Sequence, residues 1–299
     1  MTILSNLPIS DFPLPEVREN VRAAAHRARA LAARHCVPDG NGGDCGWYHA
    51  SWPVLRALGV INSPGSDDDF LLRAIGAELA AGARRVLVSG AADAGMLARV
   101  TSCLAPGRSV EVTVLDRCQT PLELNRAHAL EVGIEIETIR ADILGFESDQ
   151  RFDLICTHSF MTFFSAADRQ RLVACWKALL RPGGCVVTAQ RVRPGEKEEL
   201  TRFPPAEIRR LGAEAERQAR CNGESIVDAV IARALALGYG ANHQTHLIAS
   251  PQDLERLFLD QGFVLEEFVP PATERRLLDR SGAPANASSC RWRILARKP

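Results

Sequence analysis

The chain has 299 residues, enough to bury a full core without staples, and its 36 Lys and Arg balance 36 Asp and Glu. No net positive field exists to draw it to phosphate backbones or anionic membranes, so neither nucleic acid nor a membrane surface is an expected partner. The nine cysteines are scattered, with no C-x-x-C spacing, no secretory start and no uncharged apolar run of membrane-spanning length. Reduced thiols in a cytoplasm and no metal site are the expectation.

The segment from Pro15 to about Cys36 opens on a helix-starting proline and sets Val17, Val21, Ala24, Ala28 and Leu31 on one face, which predicts an amphipathic helix. Residues 37–46, VPDGNGGDCG, read as a loop, and WYHASWPVLRALGV (47–60) places aromatics at the start of a second apolar segment. Ser66, followed by Asp67, Asp68 and Asp69, predicts a capped helix running to about Ala81. Residues 1–83 are therefore expected to form a helical extension.

From there strands and helices alternate: strand 84–89, helix 95–104, strand 110–116, helix 120–132, strands 134–139 and 152–157, helix 167–180 and, after the turn RPGG, strand 184–190. This pattern predicts an α/β fold with a doubly wound, mostly parallel sheet whose ligand sits at the carboxyl ends of the strands. A charged helical stretch, 204–238, marks an insertion over 193–248. The chain then closes with a helix over 250–261, capped by Ser250, started by Pro251 and ended by Gly262, and with strands 263–269 and 290–297.

The stretch RVLVSGAADAGML (85–97) reads as buried strand, tight turn and helix. Gly90, Ala91, Ala92, Ala94 and Gly95 allow close backbone approach to a bound molecule, and free N–H groups at a helix start favour a polar or anionic group. Asp116 ends the second strand, placed to accept hydrogen bonds from both ribose hydroxyls of an adenosine ligand. Asp142, in IRADIL, is placed to accept from the adenine amino group while Ile143 packs on the ring. The fourth strand ends at Thr157 and His158, over the reactive end of the ligand.

In this order the motifs resemble class I S-adenosylmethionine-dependent methyltransferases: the turn Gly90–Gly95, Asp116, the pair Ala141-Asp142, FDLI before the fourth loop, KALLRPGGCVV (177–187), then SPQDLERLFLDQGFVLEEF and RWRILARK. The similarity covers roughly 84–190 and returns at 250–299. It implies a Rossmann-like methyltransferase fold with S-adenosylmethionine as cofactor, held by Gly90, Ala92, Asp116, Arg117, Asp142, Ile143 and Thr157. It also implies methyl transfer to a nitrogen or oxygen of a small molecule. Two departures stand out, since Val88 replaces the acidic residue before the turn and alanines replace two of its three glycines.

Without that acid, another group has to grip the amino-acid end of the cofactor. Tyr48, in CGWYH (45–49), is the expected source, with the helical extension closing as a lid. His158 reads either as a general base or as a hydrogen-bonded structural histidine. Arg191 is a candidate clamp for a substrate carboxylate, and Tyr239 and His243 are candidate pocket residues. His243 with His246 makes no metal pair, lacking further placed ligands. A homodimer stays open, as do three rival readings: a nicotinamide oxidoreductase, an enzyme using the aminocarboxypropyl arm of the same cofactor, and a non-catalytic cofactor-binding protein.

Overall fold

The structure, a computed structural model, describes residues 25, 27–36, 44–61, 67–105, 107, 109–223, 225–270 and 290–299. Helix α1 covers 27–35, followed by α2 (Gly46–Ala57) and α3 (Asp68–Ala81). The core alternates β1 (Arg85–Ser89), α4 (Gly95–Ser102), β2 (Glu111–Asp116), α5 (Gln119–Val132), β3 (Glu137–Arg140), β4 (Phe152–His158), α6 (Ala166–Leu179) and β5 (Leu180–Val192). An insertion of β6 (Leu200–Arg202), α7 (Pro205–Cys221), α8 (Ile226–Asn242) and β7 (Gln244–His246) follows, and α9 (Pro251–Leu259), β8 (Val264–Val269) and β9 (Cys290–Arg297) finish the chain.

Seven strands form one sheet in the order β3-β2-β1-β4-β5-β9-β8, parallel up to β5, with β9 antiparallel to both its neighbours. Val86, Leu87 and Val88 of β1 are fully buried, as β-branched and leucine runs are when helices cover both faces of a parallel sheet. Chain order reverses between β1 and β4, which opens a crevice above their carboxyl ends. At the opposite end, Asp153 of the FDLI motif accepts the backbone N–H groups of Arg84 and Arg85 at 2.6 and 2.8 Å, fixing β4 against β1.

Several boundaries move. RPGG lies inside β5 rather than before it: Phe152 pairs with Leu180 and Leu154 with Cys185, so the motif is a bulge whose Gly183 takes φ 77°. The stretch 204–238 is two helices, because Asn222 ends α7 and the Ser225 side chain caps α8 by accepting the Asp228 N–H. β3 starts at Glu137, since Ile134 is still bonded to Ala129 in the closing turn of α5. Ser250, Pro251 and Gly262 act as expected at α9. Ser66 and half of the first predicted helix lie outside the described residues.

The N-terminal region divides. Phe70, Leu71, Ala74 and Ile75 of α3 join the core beneath β1, so α3 is a covering layer of the sheet. In contrast, Leu55 and Leu58 pack with Leu211, Ala215, Ala232 and Tyr239 of the insertion, and Ser51 Oγ donates to Leu235 O at 3.1 Å. Helices α2, α7 and α8 thus form one cluster beside the crevice. Among the described residues no helix is long and apolar enough to cross a membrane.

Candidate active site

The turn after β1 forms one wall of a cavity of about 250 Å³. The packing of the protein itself requires the glycines of this turn. Gly90 takes φ 74°, and a Cβ there would meet the Phe160 ring at 2.4 Å. A Cβ on Gly95 would meet Asp93 Oδ1 at 2.9 Å and Arg56 Nη1 at 3.2 Å. Ala91 and Ala92, both outside the left-handed region, therefore supply the small, open stretch of wall. Asp93 accepts the Gly95 N–H at 2.8 Å and pairs with Arg56 of α2, and both side chains line the same cavity.

His158 ends β4 on this cavity. Its Nε2 lies 3.0 Å from Asp67 Oδ2, and the carboxylate, 1% exposed, sets the tautomer with hydrogen on Nε2. Burial holds the imidazole down to about 4, against the opposing pull of Asp67, so it is neutral near pH 7. Asp67 stays ionised below the usual carboxylate range because His158, Arg291 and Arg293 outweigh its own burial. The next residue, Ser159, has φ 50°, the one positive φ at a non-glycine among the described residues. That strained backbone is tied by Ser159 N–H to Ala189 O at 2.8 Å and by Arg291 Nε donating to Ser159 Oγ at 3.1 Å.

The far wall is aromatic. Tyr48 stacks on Trp52 at 5.5 Å and on Tyr239 at 6.2 Å, Phe163 meets Tyr48 edge-on at 5.8 Å, and His243 lies 4.8 Å from Tyr239 and 5.5 Å from Phe203. Burial keeps His243 down at about 3 and raises the Tyr48 and Tyr239 phenols. Arg191, on β5, lines the cavity, yet its guanidinium makes no hydrogen bond or ion pair among the described residues. Burial first, then the guanidiniums of Arg291 and Arg193, bring it down to about 9.

Residues 86–184 match the family model of a methyltransferase domain. Residues 86–184 carry a methyltransferase domain. No curated protein matches it. An S-adenosylmethionine-dependent methyltransferase from Clostridium acetobutylicum ATCC 824 aligns over 82% of this chain and 95% of its own, at 10% identity and a TM-score of 0.51. A geranyl diphosphate methyltransferase in complex with GPP and sinefungin aligns over 96% and 100%, at 14% identity and 0.51. Magnesium protoporphyrin IX methyltransferase from Synechocystis PCC 6803 with bound SAH aligns over 85% and 96%, at 9% identity and 0.50. At these identities the likeness is one of fold.

Two carboxylates at the strand ends beside the turn after β1 are available to S-adenosylmethionine, the cofactor consistent with the methyltransferase match. Asp116, at the end of β2, receives the Ala91 N–H at 2.9 Å and the Cys118 N–H at 2.8 Å, which sets a carboxylate beside the small-residue wall. Its burial raises the carboxyl, with those two donors and His49 opposing. Asp142 caps the following turn through the Leu144 N–H at 3.0 Å and lies 3.6 Å from Arg117, both at the exposed strand ends.

The cavity brings together Tyr48, Gly90, Ala92, His158, Arg191, Tyr239 and His243; Asp116, Arg117, Asp142, Ile143 and Thr157 are not among its lining residues. Ile143, expected to pack on an adenine ring, is 2% exposed and sits in the core with Leu87 and Leu115, because the turn after β3 points its side chain inward. Thr157 is likewise fully buried. Sequence reasoning missed Asp67, Asp93, Arg56, Phe163 and Phe203. Asp93 was legible as an acid inside the turn; the others reach the site through tertiary packing alone.

Proposed function

We propose that this domain transfers the methyl group to a nitrogen or oxygen of a small molecule with an apolar body and an anionic group. The observation that carries the reading is Arg191, whose guanidinium makes no hydrogen bond or ion pair among the described residues and faces a cavity that Tyr48, Trp52, Phe163, Phe203 and Tyr239 also line. Arg191 is half-buried, and a substrate carboxylate or phosphate would offer its guanidinium a charge-assisted, bidentate partner.

Bound S-adenosylmethionine supplies a methyl group already activated on a positive sulfur. The tasks left to the chain are alignment, exclusion of water and uptake of a proton. Arg191 orients the acceptor by its anion, and the aromatic wall holds the apolar body and keeps water out. His158, neutral and with hydrogen on Nε2 toward Asp67, offers Nδ1 as the proton acceptor for the attacking hydroxyl or amine. Asp67 then stabilises the imidazolium. Tyr48, which lines the cavity with the small-residue turn, would hold the amino-acid end of the cofactor, and α2 with the inserted helices would make the lid.

The reading is tested by acceptor-dependent release of S-adenosylhomocysteine, comparing hydroxy- and amino-substituted aromatic carboxylates with the same compounds lacking the carboxylate. Preferred turnover of the carboxylates supports it. Equal turnover of both sets removes Arg191 from substrate recognition.

A further inference from the structure

Away from the cavity, three separate segments of the chain bring four metal-type ligands to one point. Cys36 follows α1, Cys45 and His49 lie one turn apart at the start of α2, and Cys118 caps α5. Their ligand atoms all lie within 4.8 Å of one another. Cys36 Sγ is 3.5 Å from Cys118 Sγ and 3.4 Å from His49 Nδ1. Zn–S bonds of about 2.3 Å and a Zn–N bond of about 2.0 Å in a tetrahedron give edges of about 3.8 Å between sulfurs and about 3.5 Å between sulfur and nitrogen. The two separations from Cys36 Sγ lie within about 0.3 Å of those edges, whereas a disulfide brings its sulfurs to about 2.05 Å.

We infer that Cys36, Cys45, His49 and Cys118 bind a structural zinc ion. Three thiolates and an imidazole in a closed tetrahedral set suit Zn²⁺, and four protein ligands leave no open position for catalysis. Each protonated thiol that becomes a ligand releases its proton on binding, and the imidazole coordinates through its neutral nitrogen. The surroundings are those of a thiolate site. The Thr120 N–H donates to Cys118 Sγ at 3.4 Å, and Thr120 Oγ1 lies 3.1 Å from Cys36 Sγ. Cys36, His49 and Cys118 are buried, with exposures of 8%, 6% and 6%.

The fold gives the ion a task. The His49 N–H bonds Cys45 O at 3.0 Å, so one helical turn sets both ligands on the same face. Through them the ion joins α1 and α2 to the turn after β2, two residues beyond Asp116. It thereby anchors the helix that carries Tyr48 and Arg56 to the cavity.

The test uses the full chain produced in zinc-supplemented medium and purified under reducing conditions. Metal analysis by mass spectrometry should give one zinc per chain, and exchange with Co²⁺ should give the intense absorption of a tetrahedral thiolate-rich site. Cys45→Ser, at the half-buried ligand, should lose most of the zinc, while Cys221→Ser, remote from the cluster, should keep it. Because a ligand variant can misfold, the wild-type chain is also melted with and without a chelator. Zinc removal should lower Tm, and added Zn²⁺ but not Mg²⁺ should restore it. A folded wild-type chain without zinc and without a Co²⁺ spectrum overturns the inference, as does a Cys36–Cys118 disulfide found by peptide mapping.

Discussion

Arg56 of α2 and Asp93 of the turn after β1 form an ion pair whose side chains are 2% and 4% exposed. The pair binds α2 to the glycine turn, and the absence of a Cβ on Gly95 leaves the room it occupies. Removing one member strands a buried charge, so Arg56→Met and Asp93→Leu should each cost about 3–5 kcal/mol, while the double variant should recover much of the loss. Urea unfolding measures both. Single-variant losses below about 1 kcal/mol would show that water reaches the pair.

His158→Ala should lower kcat roughly a hundredfold while calorimetry shows S-adenosylhomocysteine binding near wild type. Asp67→Asn, which keeps the shape but loses the carboxylate that fixes the tautomer, should also lower kcat. A change of only a few-fold in His158→Ala would mean that the imidazole serves packing.

Acid should act through the two depressed histidines. In the unfolded chain they take up protons near their ordinary value of about 6.5. In the fold His158 does so at about 4 and His243 at about 3. Between these limits the unfolded state binds more protons, so stability from both groups is complete above about pH 6.5 and falls as pH drops through 4 toward 3. The urea midpoint should fall over that window, and His243→Phe should flatten the fall. Because His158 remains neutral, its protonation should leave kcat level between about pH 5 and 7. A loss of kcat centred near pH 6.5, absent from His158→Gln, would contradict this.

Arg191→Met should raise KM for an anionic acceptor by roughly 10- to 100-fold, the scale of lost hydrogen bonds to charged groups, and leave cofactor affinity unchanged. Arg191→Lys should recover part of the loss, since it keeps the charge without the planar fork. Steady-state kinetics with the acceptor varied at saturating S-adenosylmethionine decide the matter. An unchanged KM places the anion elsewhere.

The parallel core was legible because its signals are local. The buried runs of β1 and β4, the acid at Asp116 and the capped start of α9 each lie within a few residues of the element they specify. The break between α7 and α8 was missed because charged residues continue across Asn222 and Gly223, although Ser225 and Asp228 carry a capping signature. His158 was found by its place at a strand end, but its partner Asp67 lies 91 residues away and no periodicity links them. The same holds for Arg56 with Asp93, 37 residues apart, and for cysteines whose spacing matches no zinc motif because three separate segments supply them. Ile143 shows the opposite failure: the right strand end, with a side chain that the turn directs into the core.

The central claim is methyl transfer from S-adenosylmethionine to a small anionic acceptor, and the spent cofactor tests it most directly. The protein is incubated with S-adenosylmethionine and a carboxylate acceptor, and the products are identified by chromatography and mass spectrometry. The account predicts S-adenosylhomocysteine in amounts equal to an acceptor heavier by one methylene. Methylthioadenosine, which marks transfer of the aminocarboxypropyl arm, or S-adenosylmethionine left unconsumed with every anionic acceptor, would contradict it.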